Sequence, residues 1–205
     1  MRGAPPRSDV PRETLPAWVD EFTALLQAWT RRINLISRQD ASRLVKRHIE
    51  DSLELAPLVP DGVNRGVDLG SGAGFPGLIL AKHTGHHFDL VEADHRKAAF
   101  LREAARLIGA PATVHAARAE TLALPRASLV TARALAPLLK LLPLAERFLQ
   151  EGGAALLPKG PSVDAELTGI ETKWQMRVER FPSRSTPGAV ILRITELRRA
   201  APFTP

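Results

Sequence analysis

The stretch Val67-Asp68-Leu69-Gly70-Ser71-Gly72-Ala73-Gly74-Phe75-Pro76-Gly77 limits what this chain can fold into more than any other. An apolar strand-like segment carrying an acid runs into three glycines at alternate positions, and helix-forming Leu78-Ile79-Leu80-Ala81 follows. Glycines spaced this way let the main chain turn tightly and let a ligand approach the backbone closely. A P-loop would close on Gly-Lys-Ser/Thr, which is missing, and a dinucleotide fingerprint would space its glycines as GxGxxG. The pattern here is GxGxG behind an acid, which suits a cofactor with positive charge and no phosphate. S-adenosylmethionine, a sulfonium with an α-amino group, is such a molecule, and Asp68 is expected to order the amino-acid end of its pocket through the loop.

The rhythm around the loop sets the architecture. Trp18, Phe22, Leu25, Leu26, Trp29, Ile33 and Ile36 recur at helical steps, and a second helical pattern spans 40–55. A helical extension over 1–57 therefore precedes a Rossmann-like domain over 58–205. In that domain strands are expected at 65–69, 87–92, 112–116, 127–131, 153–158, 174–181 and 189–197, with helices at 75–83, 95–108, 137–150 and 161–171. Strands separated by crossover helices require a parallel sheet. The last two strands, joined by Pro182 to Gly188 without a helix, form an antiparallel hairpin at one edge. The expected fold is thus α/β, a mostly parallel seven-stranded sheet with a helical amino-terminal extension.

Composition removes whole chemistries. There is no Cys and no Tyr, which excludes disulfides, thiolate metal sites, cysteine nucleophiles and phenolic acids or bases. No apolar run approaches the roughly 20 residues that cross a bilayer, and the first residues show no signal core. The expectation is a soluble, cytoplasmic monomer without metal or membrane partners. The net charge of +6 is uneven: residues 1–50 carry +3 and 173–205 carry +5, against −2 for the middle. A basic rim around a more acidic centre is the footprint of a polyanion, though an arginine-rich proteome would give the same total.

Candidate site residues follow from strand ends. Glu92 closes the second strand 22 residues after Gly70, where such sheets hold ribose hydroxyls, while Asp94 caps the next helix. Ala119 and Glu120, after the third strand, can meet an adenine through a backbone amide and a carboxylate. Arg133, at the end of the fourth, can orient a base through O6 or close the cofactor pocket. Lys159 lies beside the same crevice as a phosphate contact. Arg31, Arg32, Arg38, Arg43, Lys46 and Arg47 can track an RNA backbone. His48 and Asp51 are read as packing and capping residues. Pyrimidine C5 methylation needs a cysteine, and the fourth strand, ending Thr131-Ala132-Arg133-Ala134, lacks the Pro-Pro turn usual for exocyclic amines. Guanine N7 carries an exposed lone pair and no proton, so it needs no general base. The residues alone leave open a methyltransferase for a small molecule or protein, and a cofactor-binding RNA module without turnover.

Asn34-Leu35-Ile36-Ser37, His48-Ile49-Glu50-Asp51-Ser52-Leu53, Gly74-Phe75-Pro76-Gly77, Ala132-Arg133-Ala134 and Lys159-Gly160 together resemble the RsmG family, also called glucose-inhibited division protein B, from about Phe22 to Leu197. The resemblance implies a class I S-adenosylmethionine-dependent methyltransferase that modifies guanine N7 in 16S rRNA of the small ribosomal subunit. It implies cofactor contact by Gly70, Phe75, Ala119, Glu120 and Arg133, with Gly72, Gly74 and Glu92 completing the pocket. The chain departs from the family pattern at Ala132, where Ser is usual, and before Val190, where an Arg is expected.

Overall fold

A computed structural model describes residues 16–36 and 41–200, and the side chains of these except 41–46. Helices α1 (Trp18–Thr30) and α2 (Ala41–Leu53) come first. Then β1 (Arg65–Leu69), α3 (Gly77–Thr84), β2 (His87–Glu92), α4 (His95–Ile108), β3 (Ala112–Ala116), β4 (Ala127–Ala132), α5 (Leu138–Phe148) and β5 (Leu149–Lys159) alternate. The short α6 (Val163–Thr168) and strands β6 (Trp174–Pro182) and β7 (Val190–Arg199) follow.

The strands form one sheet in the order β3-β2-β1-β4-β5-β7-β6. From β3 to β5 every pair is parallel. The chain moves outward from β1 to β3 and then returns to β4 on the other side of β1, which opens a crevice at the carboxyl ends of β1 and β4. The connection from β3 to β4 contains no helix.

The expected hairpin is antiparallel and lies at an edge, but β7 inserts between β5 and β6 and pairs antiparallel with both. Burial explains the order. Ile191, Leu192 and Ile194 of β7 are buried, as an inner strand requires. In β6, Gln175, Arg177 and Arg180 are exposed, and charged side chains suit an edge that must not recruit another strand. Two further boundaries differ from expectation. β5 begins at Leu149, directly after α5, and α6 spans only residues 163–168.

Each sheet face carries an apolar layer. On one, Phe88, Leu90, Leu129 and Leu156 pack with α3, α4 and the amino-terminal helices through Phe22, Leu26 and Ile49. On the other, Val67, Leu69, Val130, Leu157 and Ile194 meet Leu138, Leu142 and Phe148 of α5 and Val163 of α6. Phe22 and Ile49 have no exposed surface, and a side chain of that kind contributes about 1.5–3 kcal/mol when buried. Helices α1 and α2 are thereby welded to the sheet. The helix that brings β2 to β3 is capped at both ends: Asp94 Oδ1 accepts from Arg96 N at 2.8 Å, and Gly109 takes the left-handed conformation at φ +61°. No helix among the described residues is long and apolar enough to cross a membrane.

Candidate cofactor and acceptor site

The glycine turn leaves β1 at its carboxyl end and hangs from the neighbouring strand. The backbone N–H groups of Gly70 and Ser71 both donate to the Val91 carbonyl, at 2.9 and 3.0 Å, and Gly74 N donates to the Ser71 carbonyl at 2.7 Å. Gly70 has φ +68°, a left-handed conformation that favours glycine. Asp68 supports the turn from beneath. Its partner in the β1–β4 register is Thr131, whose hydroxyl donates to Oδ1 at 2.6 Å. A Cβ on Gly77 would stand 2.3 Å from Asp68 Cβ, which is why the helix after the turn must start with glycine. Burial pushes the Asp68 carboxyl up to about 6, against the Thr131 hydrogen bond that favours the charged form. With no exposed surface, Asp68 shapes the pocket through the loop and offers no atom to a ligand.

Glu92 fastens the turn from the side. Its Oε2 accepts from Gly72 N at 2.9 Å and its Oε1 from Asp94 N at 2.8 Å. A carboxylate has roughly four acceptor positions, so both oxygens keep capacity for hydroxyl donors. Glu92 pairs in register with Ala116, and the chain then leaves β3 toward buried Ala119 and exposed Glu120. Arg147 of α5 pins this segment by donating to the carbonyls of Glu120 and Leu122. A Cβ on Gly72 would meet nothing closer than the Gly70 carbonyl at 3.8 Å. The groups around that open space are carboxylates and backbone. They fit a sulfonium nucleoside with hydroxyl and amino donors and do not fit a pyrophosphate.

Beyond the turn, Arg133 directly follows β4 and is the hub of the second half of the site. Its guanidinium lies 5.1 Å from the centroid of the Phe75 ring. Phe75 is buried, edge-on to Phe22 at 5.7 Å and 5.2 Å from the His48 ring. Arg133 Nη1 is 2.9 Å from His48 Nδ1. Arginine only donates, so Nδ1 accepts and His48 carries its proton on Nε2. Burial and the Arg133 charge lower the His48 pKa to about 4, against the opposing pull of Asp51. The histidine is neutral and is a spacer for Arg133. Asp51 Oδ2 lies 3.6 Å from Arg133 Nη1. Burial lowers the Arg133 pKa, and the Asp51 carboxylate opposes that shift.

A cavity of about 280 Å³ opens beside this hub, lined by Asp51, Glu54, Arg133, Lys159, Glu166 and Thr186 among others. Lys159 is held there: its ammonium contacts Glu166 Oε2 at 2.7 Å, donates to the Ala136 carbonyl at 3.2 Å, and its side chain is only 10% exposed. Lys159, expected as a phosphate contact, is thus ion-paired and largely enclosed, because Glu166 reaches back from α6, where it also accepts from Leu138 N. Arg47 donates to Thr186 Oγ1 at 2.6 Å, and Arg184 N donates to both oxygens of Glu54. These two links fasten α2 to the β6–β7 loop as one wall of the cavity. Arg31 and Arg32 are exposed, while Arg38 and the side chains of Arg43 and Lys46 lie outside the described residues.

Sequence reasoning missed Thr131, Gly77 and Glu166, and gave His48 and Asp51 only structural roles. The Thr131 contact was within reach, since predicted β1 and β4 place it beside Asp68. The Arg133 cluster was not, because its members are 85 positions apart.

A turn of this form on a sheet of this order defines the class I S-adenosylmethionine-dependent methyltransferase fold. The fold is similar to that of an O-methyltransferase from Bacillus cereus in complex with SAH, with a TM-score of 0.63 at 12% identity over 90% of this chain and 93% of that one. Residues 17–188 match the family GidB, rRNA small subunit methyltransferase G, and the chain belongs to that family. It is 52% identical over 188 residues to the ribosomal RNA small subunit methyltransferase G of Rhodospirillum centenum, covering 92% of this chain and 87% of that one. It is 51% identical to the protein of the same name from Granulibacter bethesdensis, over 87% and 84% of the two chains.

Proposed function

We propose that the protein transfers a methyl group from S-adenosylmethionine to N7 of one guanine in 16S rRNA of the small ribosomal subunit. The observation that carries this reading is Arg133, a cationic donor held where the turn meets the cavity beside a His48 whose Nδ1 lone pair is already occupied, a pair suited to orienting a base. An acceptor with a free lone pair needs no proton removed, and catalysis is then positioning. When bound, S-adenosylmethionine supplies the electrophilic methyl. Gly70, Gly72, Gly74, Phe75, Glu92, Ala119 and Glu120 hold it, with Asp68 shaping the turn. Arg133 aims the base, and exposed Arg32 and Arg47, with Arg43 and Lys46, meet RNA phosphates around a guanine lifted from its stack.

The reading is tested by incubating labelled S-adenosylmethionine with undermethylated small subunits and mapping the label to a base and atom. Label at guanine N7 is expected, and label on an exocyclic amine overturns the assignment. Because no group near the acceptor needs to ionise, kcat should be flat between about pH 7 and 9. A bell-shaped profile in that window would show a working acid or base.

A further inference from the structure

Three carboxylates line the cavity. Two already serve the fold: Glu54 accepts from Arg184 N, and Glu166 holds Lys159 and Leu138 N. Asp51 differs. Its Oδ1 is buried without a hydrogen-bond partner among the described residues, and its Oδ2 faces Arg133 across 3.6 Å, longer than a closed hydrogen bond. An unsatisfied carboxylate oxygen is unfavourable to keep in a folded protein and calls for a donor. Arg133 and Asp51 thus present a cationic donor next to an anionic acceptor, on the cavity wall beside Phe75 of the glycine turn.

Guanine displays the complementary pair. Its O6 accepts and the adjacent N1–H donates, with the N2 amine beyond. We propose that Asp51 is a specificity-determining residue that reads the Watson–Crick edge of the acceptor guanine through N1–H and the N2 amine, while Arg133 donates to O6. One N–H of Arg133 is committed to His48, and its other donors remain for the base. Adenine inverts the pattern, setting an amine against the guanidinium and an unprotonated nitrogen against the carboxylate, so the same pair rejects it. The assignment rests on the guanine-N7 reading above and adds how the base is chosen.

The test uses small subunits reconstituted with 16S rRNA carrying either guanine or inosine at the modified position. Inosine keeps N7, O6 and N1–H but lacks the N2 amine. Wild-type enzyme should methylate inosine with kcat/KM lower by about tenfold or more, the size of one lost base-edge contact. Asp51→Asn should lose a similar factor on guanine and change little on inosine, so that the guanine-to-inosine ratio collapses toward about one, as in a double-mutant cycle. A merely structural role would lower both substrates alike and leave the ratio unchanged, which overturns the proposal. Indifference of the wild-type enzyme to inosine overturns it too, without any variant. Calorimetric S-adenosylmethionine affinity within about twofold of wild type shows Asp51→Asn to be intact. Failure of the underlying reading is separate: it appears as no N7 label on wild-type enzyme with unaltered guanine.

Discussion

The two halves of the site are built differently. In the glycine-turn half, the bonds to Gly70, Ser71, Gly72 and Gly74 join the turn to itself or to β2 and span about 20 residues or fewer. Asp68 is wedged beneath with no space to spare. In the cavity half, α2 meets the end of β4 and the β6–β7 loop through side chains 85 to 139 positions apart. The first half is a cradle built from local bonds and strand register. The second is assembled by long-range side-chain links around a cavity, as suits the larger partner that the proposed reaction requires.

Adding one methyl group to each half should break this contrast most visibly. Gly77→Ala drives a Cβ to 2.3 Å from Asp68 Cβ. We expect about 3 kcal/mol of lost stability in urea unfolding and loss of cofactor binding by calorimetry. Gly160→Ala, on the cavity side, meets nothing within 4 Å and should shift stability by less than about 0.5 kcal/mol.

Next in size is the pH dependence of the cradle. The Asp68 carboxyl titrates near 6 when folded against an ordinary 3.8, so the native state binds its proton more tightly than the unfolded chain. Its contribution is complete below about pH 4 and disappears as pH rises through about 6, up to about 3 kcal/mol in all. Urea midpoints across that window should fall for the wild type and flatten for Asp68→Asn. Equal slopes for the two proteins would show that Asp68 titrates as an ordinary surface acid.

How much of this was legible beforehand divides along the same line. The cradle could be read because its parts are neighbours in sequence or follow from strand register: Gly70, Gly72 and Glu92 lie within one strand-turn-helix-strand unit. Glu92 turned out to grip Gly72 N and Asp94 N, which its position alone did not reveal. The enclosure of Lys159 was not legible, because a lysine after a strand looks solvated until Glu166 of α6 is known to reach it. The Arg133–His48–Asp51 cluster needed the docking of α2, a contact set by packing of Ile49 and Phe22 that no local pattern states. The hairpin was visible from its turn. Placing β7 inside the sheet required weighing the unbroken apolar run Val190-Ile191-Leu192 against the alternation in β6.

Two smaller effects sharpen the comparison. Glu92→Gln replaces one acceptor oxygen with an amide NH2 that can only donate, leaving one of the two backbone N–H groups without an acceptor, and should weaken cofactor binding about tenfold while leaving the KM for subunits unchanged. Thr186→Val removes the Arg47 link on the other half. It should raise the KM for subunits by about two- to threefold and leave cofactor affinity alone, measured by titrating subunits at saturating cofactor. Crossed outcomes would mean that the two halves are mechanically coupled.

The position of β7 bears on how the cavity rim is tied to the sheet edge. The penultimate strand has no neighbour in the sheet except β7, and Lys159 at the cavity rim is partnered by Val190, the first residue of β7. Through β7 the edge strand β6 and the cavity rim at Lys159 are joined into one sheet, so a disturbance of β7 would reach both the sheet edge and the cavity.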